Sequence, residues 1–335
     1  MMINGNKILV TGATGLIGRA LLPQLLARNG HGLRLQVRNA RQARAQFHPS
    51  IDLGRLELIE CDFNKLSDKD SVGLTNGCNT IIHLAGLVHQ PQAAYEEFEL
   101  LNVRATEHLV KAAMANNVDT FLFLSSSAVY GNGPFLQINE NAATPGGSPY
   151  AVSKILCERL LQKPNSIKRI IKLRPGLVFG EGDRGNLIKL IQAINKKRYV
   201  QIGDGQTCKS IIYSRDLAKA IILCLEKISS GEYTLNVASP EPISMKDLAS
   251  EIWSALGHRG KISALPQSLL FTVAKAADKL APGKLPVSEE QLVKLTTATT
   301  LNVDRINAMT GFKPDFKFKA AIKAEIDWAK ASGLI

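Results

Sequence analysis

The stretch Val10-Thr11-Gly12-Ala13-Thr14-Gly15-Leu16-Ile17-Gly18-Arg19 decides how the rest of the chain is read. It follows the apolar run at residues 7–10 and leads into Leu16, Ile17, Ala20, Leu21 and Leu25, an apolar spacing that predicts a helix. The glycines stand three apart across this strand-to-helix junction. Such a turn brings backbone N–H groups and a helix N-terminus up to an anion. A glycine at the third place lets helix and strand pack closely. Ordinary turns and caps also use glycine, so the triplet carries weight through the strand before it and the helix after it. In that setting Gly12, Thr14, Gly15, Leu16, Ile17 and Gly18 read as a dinucleotide-pyrophosphate site.

The 335 residues suffice for a sizeable core, in one two-lobed domain or two smaller ones. A net charge of +12 points to anionic partners, although the basic residues are spread along the chain and only Lys196-Lys197-Arg198 forms a cluster. Aromatic residues do not interleave with the basic stretches, which argues against nucleic acid. Five cysteines without a Cys-x-x-Cys pair fit reduced thiols in a cytoplasmic protein, with no disulfide framework and no metal site. The chain runs almost at once into its first strand, which leaves no room for a signal peptide. No transmembrane segment is expected, because the nearest candidate, residues 265–280, is broken by Lys275, Asp278 and Lys279. It reads as an amphipathic helix.

Strand-like runs at 7–10, 33–37, 56–60, 80–84, 120–125 and 169–173 alternate with helical patterns at 16–28, 41–46, 96–116 and 150–161. This alternation predicts an α/β fold, a Rossmann-type doubly wound parallel sheet. After Pro175 the pattern changes to helices at 186–197, 216–226 and 245–256, with short strands at 210–213 and 233–237. Residues 265–328 read as mostly helical. The expected division is a dinucleotide-binding domain at 1–178, to which 210–238 returns, and a smaller, mostly helical C-terminal substrate lobe at 179–209 and 239–335.

Ligands of open parallel sheets bind beyond the carboxyl ends of the strands, and there the informative residues fall. After the second strand stands Arg38, where an acidic residue would bind a ribose 2′-hydroxyl; an arginine pairs instead with a 2′-phosphate and favours NADP(H) over NAD(H). Asp62 follows the third strand, placed to bond an adenine amino group or to cap a turn. After the fourth come Leu84, Ala85 and Gly86, small enough for the chain to lie flat against a cofactor, while His83 reads as a core histidine. Ser125, Ser126 and Ser127 end the fifth strand, and hydroxyls there need partners. Downstream, Tyr150 and Lys154 stand four apart on one helix face, where an ammonium lowers a phenol's pKa toward proton-transfer range.

In this order the motifs resemble the extended short-chain dehydrogenase/reductases, within them the nucleotide-sugar epimerase/dehydratase group. The resemblance rests on the glycine stretch, on His83-Leu-Ala-Gly86, Asn102-Val-Arg-Ala-Thr106, Ser125-Ser-Ser-Ala-Val-Tyr-Gly131, Tyr150-Ala-Val-Ser-Lys154 and Arg174-Pro-Gly-Leu-Val-Phe-Gly180. It implies that Ser126 polarises a sugar oxygen, that Tyr150 is the acid/base, and that Lys154 tunes it and holds the nicotinamide ribose. It also implies cofactor contacts at Asn102, Ser125 and Pro175, and substrate contacts at Ser126, Ser127 and Asn186. Lys209 stands where an arginine often holds the diphosphate, as a point charge in place of a fork. The implied reaction moves a hydride at C4 of a nucleotide-linked hexose, a UDP-sugar by expectation, as a 4-keto reductase or a 4-epimerase. Arg38 tips the balance slightly toward the reductase. A hydroxysteroid-type dehydrogenase and a non-catalytic NADP-binding regulator are the alternatives; a dehydratase lacks its acidic pair near Ser126. The resemblance also implies a homodimer through the helices at 96–116 and 150–161.

Overall fold

The computed structural model describes residues 7–28, 32–47, 51–88, 93–272 and 289–335. Its strands begin, in chain order, with β1 (Lys7–Thr11), β2 (Gly32–Val37), β3 (Leu56–Glu60), β4 (Cys78–His83), β5 (Thr120–Leu124), β6 (Phe135–Ile138) and β7 (Arg169–Pro175). They continue with β8 (Leu177–Phe179), β9 (Gln201–Ile202), β10 (Cys208–Lys209), β11 (Ile211–Tyr213), β12 (Gly231–Val237), β13 (Ile243–Ser244), β14 (Ala264–Leu265) and β15 (Thr299–Leu301). Seven of them form one sheet in the order β12-β7-β5-β4-β1-β2-β3, every neighbouring pair parallel. The order runs outward in both directions from β1 and β4, which is the doubly wound topology.

Both faces of this sheet are covered, which is why its strands read as near-continuous apolar runs. Ile8, Val10, Leu33, Leu35, Leu122 and Leu173 face one layer, which includes helices α1 (Leu16–Leu26), α2 (Ala40–Gln46) and α8 (Ser214–Lys227). Leu9, Ile81, Phe121, Phe123 and Ile170 face the other, formed by α3 (Asp68–Thr75), α5 (Ala105–Ala115) and α6 (Pro149–Gln162). Helix α3 has weak apolar periodicity and no counterpart in the sequence reading; its start is a capping box in which Ser67 and Asp70 bond each other's backbone N–H.

The expected single helix at 96–116 is three pieces: α4 (Tyr95–Phe98), a π-turn (Glu99–Arg104) and α5. The π-turn places Asn102 in the interior, the kind of local widening that recurs at functional sites. Helix α6 starts as its sequence implies, with Ser148 accepting from Ala151 N and Pro149 at the first turn.

Beyond β7 a third apolar cluster joins α7 (Asn186–Asn195), α9 (Met245–Ala255) and the helix Phe318–Ala331. Short strands add a four-stranded sheet, β13-β10-β15-β6, that draws β6 from the first half of the chain. These strands of two to four residues carry no periodic signal in the sequence. Of the stretch 265–280, residues 273–280 lie outside the described residues. Among the described residues no helix is long and apolar enough to cross a membrane.

Candidate active site

The glycine turn, the end of β4 and the end of β5 meet at one place. Gly12 has φ +69°, and a Cβ there would lie 2.7 Å from Ala85 N; a Cβ at Gly18 would lie 2.4 Å from Gly12 O. Both positions need glycine because backbone passes against backbone. His83 then locks the junction. Its Nδ1 bonds Thr11 Oγ1 at 2.7 Å and its Nε2 bonds Thr106 Oγ1 at 3.1 Å, while Thr11 Oγ1 accepts from Ala85 N at 3.2 Å. Burial pushes the imidazole's pKa down to about 3, so the ring is neutral and structural.

Asn102 holds the next residues. Its Oδ1 accepts from Leu87 N at 2.7 Å, and its Nδ2 donates to Leu87 O and to Ser153 Oγ. These bonds make Asn102 the brace of the 84–87 segment. A Cβ on Gly86 would sit 3.1 Å from Asn102 Oδ1 and 3.4 Å from Lys154 Nζ, so the exposed glycine backbone lies directly over both side chains.

Lys154 is buried, donates to Leu124 O at 2.8 Å, and lies 4.7 Å from the Phe123 ring centre and 5.9 Å from that of Tyr150. Burial lowers its pKa. Tyr150 stands beside Ser126, which favours its phenolate, and the Ser126 Oγ accepts from Ala128 N at 3.1 Å. Ser126, Tyr150 and Lys154 are therefore brought together at the carboxyl edge of β5. The tyrosine differs from expectation in one respect. Burial raises its phenol to about 12, against the pull of Ser126, and Lys154 is not among the groups that shift it.

Ser125 makes its hydrogen bond one turn further along α6. Its Oγ donates to Glu158 Oε1 at 2.5 Å, and Glu158 forms a two-pronged ion pair with Arg174 (2.9 and 2.5 Å), both side chains under a tenth exposed. Arg174 also donates to Tyr130 Oη at 3.0 Å, and Tyr130 donates to Asn236 Oδ1 at 2.7 Å. This chain of buried polar groups ties β5, α6, β7 and β12 together beneath the site, and Ser125 belongs to it. The sequence reading did not find it. Its signals were an arginine inside the apolar β7 and a glutamate one turn after Lys154.

At the far side Arg38 is exposed at the end of β2, and Asp62 accepts from Asn64 N at 3.1 Å as the cap of a 3-10 turn. Gln36, unforeseen from the sequence, is buried in β2 and joins three strand ends, accepting from Gly12 N at 3.5 Å and donating to Cys61 O at 2.6 Å. Pro175 is buried at the end of β7, Ser127 is half-buried, and Asn186 is exposed at the head of α7. Lys209 is the departure. Its Nζ donates to Lys294 O at 2.8 Å and Thr297 O at 2.5 Å, capping the C-terminal end of the helix Glu289–Thr296. Burial lowers its pKa to about 8.

Gly12 and Gly18 let the turn pack tightly against the end of β4 and against itself, and Gly86 leaves exposed backbone over Asn102 and Lys154, so the residues fit a dinucleotide laid from the turn to Lys154. Fold and site together define a Rossmann-type nucleotide-binding protein with a Ser–Tyr–Lys group. Residues 8–238 match the model of the NAD dependent epimerase/dehydratase family, and the chain belongs to that family. It is 30% identical over 284 residues to dTDP-4-dehydro-6-deoxy-D-allose reductase of Streptomyces bikiniensis, covering 78% of this chain and 85% of that one. It is 23% identical over 315 residues to N-acetyl-alpha-D-glucosaminyl-diphospho-ditrans,octacis-undecaprenol 4-epimerase of Escherichia coli O157:H7, covering 92% and 90%. The solved structure of MoeE5 in complex with UDP-glucuronic acid and NAD is 25% identical, with a TM-score of 0.76 over 97% of this chain and 99% of that one.

Proposed function

We propose that the protein moves a hydride at C4 of a nucleotide-linked hexose, a UDP-sugar, as a 4-keto reductase, with 4-epimerisation as the second outcome of the same site. The observation that carries this reading is the meeting of Ser126, Tyr150 and Lys154 beside Gly86. The chemistry that a nicotinamide dinucleotide supplies when bound is hydride exchange with a carbon of the substrate. Gly12, Thr14, Gly15, Leu16, Ile17 and Gly18 would hold its diphosphate end, with Leu84, Ala85, Gly86, Pro175 and Lys154 nearer the nicotinamide.

Tyr150 gives its phenolic proton to the C4 oxygen as a ketone becomes an alcohol, and takes it back in the reverse direction. Ser126 holds that oxygen through its hydroxyl. Lys154 places a positive charge below the phenolate that forms, which favours it electrostatically. The phenol is protonated at neutral pH, as a proton donor must be; both outcomes use that proton, and Arg38 is what favours the reductase.

Exposed Arg38 supports NADP(H) over NAD(H). The residues assigned to substrate are Ser126, Ser127 and Asn186. The division that goes with this reading is a dinucleotide-binding domain at 1–178 with 210–238 and a substrate lobe at 179–209 and 239–335. A cytoplasmic homodimer completes the proposal: five free cysteines support the compartment, and the family resemblance supports a dimer. The test follows absorbance at 340 nm with a UDP-4-keto-6-deoxy-hexosamine, with NADPH and NADH in parallel, alongside UDP-galactose/UDP-glucose interconversion. NADPH-preferring reduction is expected. A protein that binds dinucleotide yet turns over neither substrate contradicts the reading.

A further inference from the structure

The loop between β8 and α7 carries three charged residues, Glu181, Asp183 and Arg184, and touches Arg19 of α1; among the described residues two cations of this neighbourhood form no ion pair. Glu181 is neutralised: its carboxylate accepts from Tyr213 Oη at 2.6 Å and pairs with Arg215. Asp183 is engaged by backbone, accepting from Gly185 N at 2.7 Å and Ile188 N at 3.2 Å at the head of α7. Glu325, fully buried behind the loop, is pushed up to about 9 by burial and by Asp183, so it is uncharged at neutral pH. That leaves Arg19 and Arg184. Among the described residues neither forms an ion pair, although the two positive charges feel each other.

Arg19 is held in place even so. It lies on α1 one turn after Leu16, and its Nη2 donates to Gly182 O at 3.4 Å. Gly182 has φ +101°, and a Cβ on it would fall 1.7 Å from that nitrogen, so the guanidinium lies flat over the loop. Its Nε is buried and has no hydrogen-bond partner. At this seam the unused buried donor of Arg19, with the exposed positive charge of Arg184 near it, offers an anion both a hydrogen bond and a counter-charge. The seam lies between the helix that opens at the glycine turn and the loop that leads to Asn186.

We propose that Arg19 and Arg184 are a phosphate clamp, closing from α1 and from the 182–184 loop on one phosphoryl group of a bound nucleotide. This rests on the nucleotide-sugar reading only for the second of two sources of that phosphate, the dinucleotide being the first. The test measures dissociation constants of NADPH by fluorescence and of UDP by calorimetry, for wild type, Arg184→Ala and Arg19→Gln. Affinity for one of the two ligands is expected to fall about tenfold or more in each variant, with the unliganded melting temperature unchanged or higher. The ligand that weakens identifies the phosphate. Both affinities staying within about twofold of wild type overturn the clamp, as does an equal loss for adenosine and uridine, which carry no phosphate. A wild type that binds NADPH but not UDP removes the UDP-sugar reading and leaves the NADPH measurement to decide the clamp.

Discussion

Two lysines make the two halves of the molecule comparable. Lys154, beneath the carboxyl edge of the large sheet, and Lys209, in the small sheet of the second half, are both withdrawn from water and both donate to backbone carbonyls. Burial lowers both pKa values. Their surroundings separate them. Lys154 has a phenol and an exposed glycine backbone beside it, and beneath it the buried groups from Ser125 to Asn236 are all hydrogen-bonded. Lys209 faces the end of a helix, whose carbonyls take its hydrogen bonds. A buried, carbonyl-bound amine is thus no sign of catalysis by itself. What it faces decides.

Exchanging each lysine for methionine should expose that difference. Lys154→Met is expected to slow turnover by about 10²–10⁴-fold while the fold, followed by circular dichroism, persists. A variant within a few-fold of wild-type rate would erase the contrast. Next in size is the polar chain under the site. Arg174→Met strands Glu158 without its partner and should cost about 3–5 kcal/mol in denaturant unfolding. A loss below about 1 kcal/mol would mean the chain does not brace the edge.

The second half yields smaller numbers. Glu325 keeps its proton up to about 9 when folded, against 4.5 as its ordinary value. The folded state therefore binds that proton more tightly, and stability falls as pH rises from about 4.5 towards about 9. Glu325→Gln should raise the melting temperature at pH 8 by about 2 °C or more, and leave it nearly unchanged at pH 5. Equal shifts at both pH values would contradict the assignment. Smallest of all, Lys209→Met should cost under about 1 kcal/mol by loosening the last turn of its helix, with the KM for a nucleotide sugar nearly unchanged. A large rise in KM would place Lys209 on the diphosphate.

How far the sequence could be read follows from the same physics. Strands β1 to β5 and β7 announce themselves because a sheet covered on both faces needs unbroken apolar runs, and the boundaries shift only by a residue or two. The glycine turn, Tyr150 and Lys154 were legible because their spacing is local. Partners that meet through the fold were not. Glu158 finds Arg174 across 16 residues and Lys209 finds Thr297 across 88, and neither pairing leaves a periodic trace. The expectation that Lys154 lowers the phenol does not hold, because burial raises it and the lysine is not among the groups that shift it. Ser125 and Asn102, expected at the cofactor, also hydrogen-bond Glu158 and Leu87, pairings that no local spacing announces. Within the site, the outer residues were visible and the bracing layer behind them was hidden.

The central claim is that Tyr150 exchanges the proton at the reacting oxygen. Tyr150→Phe removes that proton and little else, since the ring still packs against Phe98. Turnover of the nucleotide sugar and NADPH affinity should be measured on the same preparation. The account predicts turnover reduced by about 10²–10⁴-fold with NADPH affinity unchanged. A Tyr150→Phe protein that turns over at the wild-type rate would contradict it.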